Sequence, residues 1–226
     1  MNYAQFQKQI KITRKGICRE IYSQNQSSIR IKKEETVIRN LEKIFSAALK
    51  ISNEKGFQAM SMRDLSAETG LSTGALYAYF SGKEDLLNMM MQHLRTTVLH
   101  TVKSYIRPEA DASEKLEMMI RVHLYLSEAM QPWFYFSYME TKNMSKSQRD
   151  MVIADSEATE KMIADIIREG QNTGMFKNID AEMSAGVIKA MLQEWYLKRK
   201  KYARRNVSVD QYADFVQRAV MSILNE

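Results

Sequence analysis

Residues 70–87 read GLSTGALYAYFSGKEDLL. Gly70 and Gly74 stand four residues apart, followed by Tyr77, Tyr79 and Phe80, then by Lys83, Glu84 and Asp85. A segment built only to fill a core would not mix helix-weakening glycines with tyrosines in this way. The residues just before it supply half of the explanation. Ser61 followed by Asp64 is a helix N-cap with an acid at the third helical position. A short helix therefore runs from Ser61 to about Glu68, and Gly70 ends it. Ser72 caps a second short helix, which reaches about Phe80. Two short helices joined by a glycine-containing turn have helix-turn-helix geometry. Gly70 takes the left-handed turn position, and Leu65, Leu71 and Leu76 share a core with Ile44 and Ala48 of the preceding helix.

In that motif the second helix enters the DNA major groove with its N-terminus leading. The composition then makes sense. Gly74, in the first turn, lets the backbone come close to DNA. Ser72 and Thr73 offer hydroxyls and N-terminal amides to phosphates or base edges. Tyr77 and Tyr79 end in hydroxyls that can reach phosphate, and Tyr79 can also touch a thymine methyl. Phe80 turns inward to anchor the next helix, and Lys83 at that helix's start is placed for a phosphate.

Outward from this stretch, the chain reads as all-α. Only two prolines and eight glycines interrupt 226 residues, and no alternating strand with a hairpin turn appears. Before the motif, Val37, Leu41, Ile44, Phe45, Ala48 and Ile51 follow the helical period from about Lys33 to Lys55, with Gly56 as C-cap. After it, a long helix runs from Lys83 to about Tyr105. Five more follow, opening near Asp111, Pro132, Ser145, Asp180 and Ser208, for about nine helices. The division expected is a basic extension over 1–33, a helix-turn-helix domain over 34–82 and a helical body over 83–226. The extension holds the helical pairs Phe6 with Ile10 and Ile17 with Ile21, and Ser23 to Ser28 reads as a polar linker.

No apolar run approaches the ~18 residues that a bilayer span needs, and the first fifteen residues lack the apolar core of a signal peptide. A single cysteine, Cys18, excludes an intramolecular disulfide and suits a reducing cytoplasm. The net charge of +6 lies in the extension, where eight Lys and Arg face one Glu. The extension is either an arm that adds phosphate contacts or a solvated leader.

The residues now carry a resemblance. MSMRDLSAETGLSTGALYAYFSGKEDLL, with the preceding IFSAALKISNEKGF, resembles the DNA-binding domain of the tetracycline-repressor (TetR) family of bacterial transcription regulators. The likeness spans roughly residues 36–88. It implies a dimer with one helix-turn-helix per subunit, a palindromic operator in double-stranded DNA, and a small-molecule cavity in the helical body. Carried over by motif position, Ser61 and Arg63 would contact the backbone. Ser72, Thr73, Gly74, Tyr77 and Tyr79 would sit in or beside the major groove, and Lys83 would meet phosphate. Thr73 stands where the family often has lysine, and Ala78 where a larger side chain is common, so direct readout is reduced.

In the body, Trp133, Phe134, Tyr135, Phe136 and Tyr138 cannot all face one side of a helix, so part of this run lines a cavity or an interface. The candidate pocket takes Met119 and His123, Trp133, Phe136 and Met139, Met162 and Ile166, and Met191 and Trp195 from four successive helices. Methionine suits such adaptable cavities. The run Lys198 to Arg205 reads as a solvated face at a helix C-terminus; the sharper reading is an anionic-ligand patch, since several relatives with similar bodies sense acyl-CoAs. The last two helices carry broad apolar sides, and in the family they pair with the partner's copies. The sequence shows no nucleophile-base order, phosphate loop or metal constellation, so no enzyme activity, cofactor or metal is expected, and no membrane partner. The expected function is a repressor released by a small, largely apolar ligand such as an acyl-CoA or a fatty or aromatic acid. The alternative is a ligand-independent architectural DNA-binding protein.

Overall fold

The computed structural model describes residues 1–10, 13–26, 29–31 and 33–225. All regular elements among them are helices: α1 (Tyr3–Gln9), α2 (Arg14–Gln24), α3 (Glu34–Lys55), α4 (Met62–Thr69), α5 (Thr73–Leu76), α6 (Lys83–Tyr105), α7 (Ala112–Ala129), α8 (Gln131–Glu140), α9 (Lys146–Asn172), α10 (Ala181–Leu197), α11 (Arg199–Arg204) and α12 (Val209–Asn225), with one 3₁₀ turn, Thr141–Asn143, between α8 and α9. The excess over the nine expected comes from two helices in the leader and from a break that separates α11 from α10. Ser27 and Ser28 of the anticipated linker lie outside the described residues.

The chain gathers into two compact units. One comprises residues 10–95 and 136–150, the other residues 1–9, 96–135 and 151–226. This differs from a simple cut near residue 82. The first half of α6 belongs with the helix-turn-helix, as does the segment that begins at Phe136, whereas the first nine residues belong with the helical body.

In the first unit α3 is the spine. Its apolar stripe Val37, Leu41, Ile44 and Ala48 is fully buried together with Leu65 of α4 and Leu76 of α5. The capping box predicted at Ser61 forms: the Asp64 N–H donates to Ser61 Oγ at 3.2 Å, and the Ser61 N–H donates to Asp64 Oδ2 at 2.7 Å. Gly70 ends α4 in the left-handed conformation, at φ 70° and ψ 12°. Ser66 Oγ then closes the turn by donating to the Leu71 carbonyl at 2.6 Å. The later segment braces this unit: the Phe57 N–H donates to Glu140 Oε1 at 3.1 Å, and the Phe57 and Phe136 rings meet edge-on at 5.8 Å.

In the second unit α7 is the spine. Residues 122–127 are all buried, a pattern that demands neighbours all round; α12, α10 and α1 supply them. The contribution of α1 is a correction to a leader read as a solvated or DNA-contacting arm. Phe6 is 1% exposed, with its ring 5.7 Å from Tyr105 and 5.5 Å from Tyr125. The Tyr3 N–H donates to Asp210 Oδ1 at 2.9 Å, the same oxygen that accepts the Tyr125 hydroxyl at 2.6 Å. The basic residues of the leader nearly all follow this helix in sequence, which leaves α1 free to act as an apolar plug. Phe6→Ala would leave a cavity among these rings and is expected to cost about 3–5 kcal/mol of stability, read as a lowered Tm or denaturant midpoint.

Candidate nucleic-acid interface and effector site

Helix α5 is a single α-turn. Ser72 caps it, accepting from the Ala75 N–H at 3.1 Å, and the chain then tightens. The Ala78 N–H reaches the Ala75 carbonyl and the Tyr79 N–H the Leu76 carbonyl, at 3.2 and 2.9 Å. This i→i+3 winding separates the two tyrosines. Tyr77 is 48% exposed, whereas Tyr79 is fully buried, with its hydroxyl accepting from Asn40 Nδ2 of α3 at 2.7 Å. Tyr79 was expected beside the groove; it is a core residue that locks α5 onto α3. Phe80 is buried as anticipated.

The other residues of the expected interface are at least partly open to solvent. Ser61, Arg63, Ser72 and Gly74 are exposed, and Thr73 and Lys83 are half-buried. Gly74 serves no purpose within the chain: a methyl group there would meet only Ser72 Oγ, at an ordinary 3.9 Å. Lys83 is partly committed, its Nζ donating to the Gln58 carbonyl at 2.7 Å. One residue not named from the sequence is tied to the α5 turn by its backbone. The Arg30 N–H donates to the Ala78 carbonyl at 2.9 Å, so the leader's exposed Arg30 is fixed at the end of the α5 turn. Its signal in the sequence was only membership of a basic run.

The nine pocket candidates divide between the units. Phe136 and Met139 fall in the helix-turn-helix unit, Phe136 against Phe57 and Met139 39% exposed. The other seven lie in the helical body. Met119, His123, Trp133, Ile166 and Trp195 are buried there, and Met162 and Met191 are half-buried. Trp195 is structurally committed. It packs 5.3 Å from Tyr202 and 5.0 Å from Tyr212, and its Nε1 donates to Glu128 at 3.0 Å. Met191 contributes its carbonyl, which accepts the Tyr212 hydroxyl at 2.7 Å.

The basic run at 198–205 is also partly spent. Arg199 grips Glu128 with two bonds, at 2.8 and 2.9 Å, and lies over the Trp195 ring at 4.8 Å. Lys201 pairs with Glu194 at 2.6 Å. These internal pairs remove two cations from the anionic-ligand patch that the sequence allowed.

His123 has a different environment. It is 1% exposed, and Lys189 of α10 is 7% exposed. The Lys189 Nζ stands 3.4 Å from His123 Nε2. Burial pushes the Lys189 ammonium down to about 8, partly offset by the negative charge of Glu160. Burial, with the Lys189 charge second, pushes His123 well below its ordinary range, so the ring is neutral. Lys189 was not singled out from the sequence, where a lone lysine between apolar neighbours on a helix looks like a solvated charge.

Comparison with known proteins fits both units. Residues 44–90 match the family model described as bacterial regulatory proteins, tetR family, and residues 109–220 match that of the tetracyclin repressor-like C-terminal domain. The chain is 24% identical over 163 residues to the transcriptional regulator HbdR of Aromatoleum sp. (strain CIB), covering 72% of this chain and 71% of that protein. It is 22% identical over 164 residues to the fatty acid metabolism regulator protein of Bacillus subtilis, covering 70% and 84%. Among solved structures, a tetR-family regulator from Rhodococcus RHA1 aligns with a TM-score of 0.74 at 19% identity over 82% of this chain and 97% of that one. FadR from Bacillus subtilis in complex with stearoyl-CoA aligns at 0.61 and 19% identity, over 80% and 98%. With a helix-turn-helix unit and a helical body each matching its family counterpart, the chain belongs to the TetR family of helix-turn-helix transcription regulators.

Proposed function

We propose that this regulator is a repressor that grips a palindromic operator as a homodimer and lets go when a small, largely apolar ligand enters its helical body. The observation that carries the operator reading is the asymmetry of the α5 turn. Its inner side is fixed by Leu76, Tyr79 and Phe80, while Gly74 and Tyr77 have no internal role that explains their identity. A glycine that nothing in the protein requires, at the leading end of a recognition helix, permits close approach of a nucleic-acid backbone. Ser61, Arg63, Ser72, Thr73 and Lys83 would complete the contacts, with Arg30 as an added cation.

The dimer rests on α10 and α12. Met183 and Val187 are 70% and 48% exposed, and Phe215 and Ile223 are 61% and 40% exposed. Met183 and Val187 stand at i,i+4 on α10, Phe215 and Ile223 lie about two turns apart on α12, and exposed apolar stripes of this kind mark association surfaces. Two docked recognition helices must sit about one DNA turn apart, roughly 34–36 Å. A ligand that binds better to a body holding another spacing therefore shifts the population away from the DNA-bound form. The relatives that regulate fatty acid metabolism, and the one holding stearoyl-CoA, favour an acyl-type effector.

The test is promoter binding by the purified protein, followed by a thermal-shift screen with fatty acids, acyl-CoAs and aromatic acids. A ligand that raises the apparent Tm and releases the promoter establishes the reading; tight, sequence-independent DNA binding that no ligand affects would replace it with an architectural role. Arg63→Ala is expected to weaken promoter binding and reduce its salt slope by about 1. Tyr79→Phe, by contrast, is expected to lose about 1 kcal/mol of stability with affinity for DNA unchanged, measured by fluorescence anisotropy and denaturant melts. Phe215→Glu is expected to yield monomers in sedimentation equilibrium and to abolish tight operator binding.

A further inference from the structure

Helix α7 buries several polar side chains, and almost all are answered. Arg121 pairs with Glu117 at 2.8 Å and Asp214 at 2.7 Å. Tyr125 donates to Asp210, Ser127 Oγ to the Leu124 carbonyl at 2.9 Å, and Glu128 holds Arg199 and Trp195. His123 and Lys189 are the exception. An ammonium has three donors and no acceptor, and a neutral imidazole has one of each. Nε2 is the acceptor facing Nζ, which places the ring hydrogen on Nδ1. That nitrogen is buried with no hydrogen-bond partner. Among the described residues Lys189 makes no ion pair. The pair is thus a buried donor-only cluster: the remaining N–H groups of Nζ and the Nδ1–H have no acceptor among the described residues.

The negative charge of Glu160 offsets the burial of this ammonium only in part; without a hydrogen-bonded counter-ion the burial is costly, and an apolar side chain of similar length would avoid that cost. What the site lacks is a negatively charged acceptor in hydrogen-bond contact with Nζ. The surroundings specify the rest of such a molecule. The Phe134 ring meets His123 edge-on at 5.6 Å, with Tyr196 5.3 Å beyond it, and buried Met119 lies one turn from His123 on the same helix face. The ring neighbours are apolar and aromatic, and the unanswered polar groups are the Lys189 ammonium and the His123 Nδ1–H.

We propose that Lys189, held by His123, is the head-group receptor for the effector, and that the effector is a free carboxylate on an apolar body rather than a neutral ester, alcohol or thioester. This rests on the effector-responsive reading above and narrows its ligand class. In the complex the carboxylate accepts from Lys189 Nζ, which becomes an ion pair screened from water, while His123 positions the ammonium from its other side.

The test uses the full chain in calorimetric titrations with dodecanoate and phenylacetate, each compared with its alcohol, dodecanol and phenylethanol, and with dodecanoyl-CoA. At least one acid is expected to bind wild-type protein about tenfold or more tightly than its alcohol, the size of one charged hydrogen bond. Lys189→Met, a nearly isosteric change, is expected to erase that preference while leaving alcohol binding intact, and Lys189→Arg to retain part of it. A Tm for Lys189→Met at or above that of wild type shows that the variant folds. No acid preference in wild type, a preference that survives in Lys189→Met, or binding by dodecanoyl-CoA alone would overturn the assignment. Promoter release is scored separately. An acid that binds through Lys189 but leaves DNA bound sinks the repressor mechanism and not the site, whereas release by neutral ligands in both proteins sinks the site and not the mechanism.

Discussion

A helix packed on every side cannot leave a polar side chain to water. Helix α7 meets that constraint five times within eight residues, from Arg121 to Glu128, and much of the second unit is arranged around the answers. Asp214 and Asp210 of α12 answer Arg121 and Tyr125. Arg199 of α11 and Trp195 of α10 answer Glu128. Each satisfied group fixes the register of one neighbouring helix against α7, because a hydrogen bond at 2.6–3.0 Å tolerates little sliding. The Lys189–His123 pair is the place where this accounting stays open, and it lies in the unit where a regulator of this family would sense its ligand.

Much of the helix-turn-helix was legible because its signals are local. The capping box at Ser61 and Asp64, the left-handed Gly70 and the apolar stripe of α3 each depend on a few consecutive residues, and each formed as read. Tyr79 was misplaced although its position was also locally readable. Leu76, Tyr79 and Phe80 stand at i, i+3 and i+4, so the helical period that buries Leu76 buries Tyr79 too, while Tyr77 points the other way. The two tyrosines share their chemistry but not their face of the turn.

The body was less legible because its determinants are long-range. The partner of Lys115 is Glu169, 54 residues away, and the partner of Lys189 is His123, 66 residues away. No spacing rule within one helix announces such meetings. The same applies to the leader. Its charge suggested DNA, yet Phe6 and Tyr3 are placed by rings and a carboxylate 99 to 207 residues downstream. Aromatic and methionine content pointed to a cavity without saying which residues would be consumed by the core, and Trp195 and Phe136 were.

The docking of Tyr3 onto Asp210 spans 207 positions, which sets an order of events at the ribosome. At roughly 5–20 residues per second, Tyr3 waits on the order of 10–40 s for the residue that receives its N–H. During that interval Phe6 has neither the Tyr125 ring nor, at first, the Tyr105 ring to cover it. The helix-turn-helix unit, whose members are mostly close in sequence, can close in the meantime. The nascent chain therefore carries an uncovered aromatic segment ahead of an already folded DNA-binding unit, the kind of sticky exposed patch that chaperones attend to until the last helix emerges.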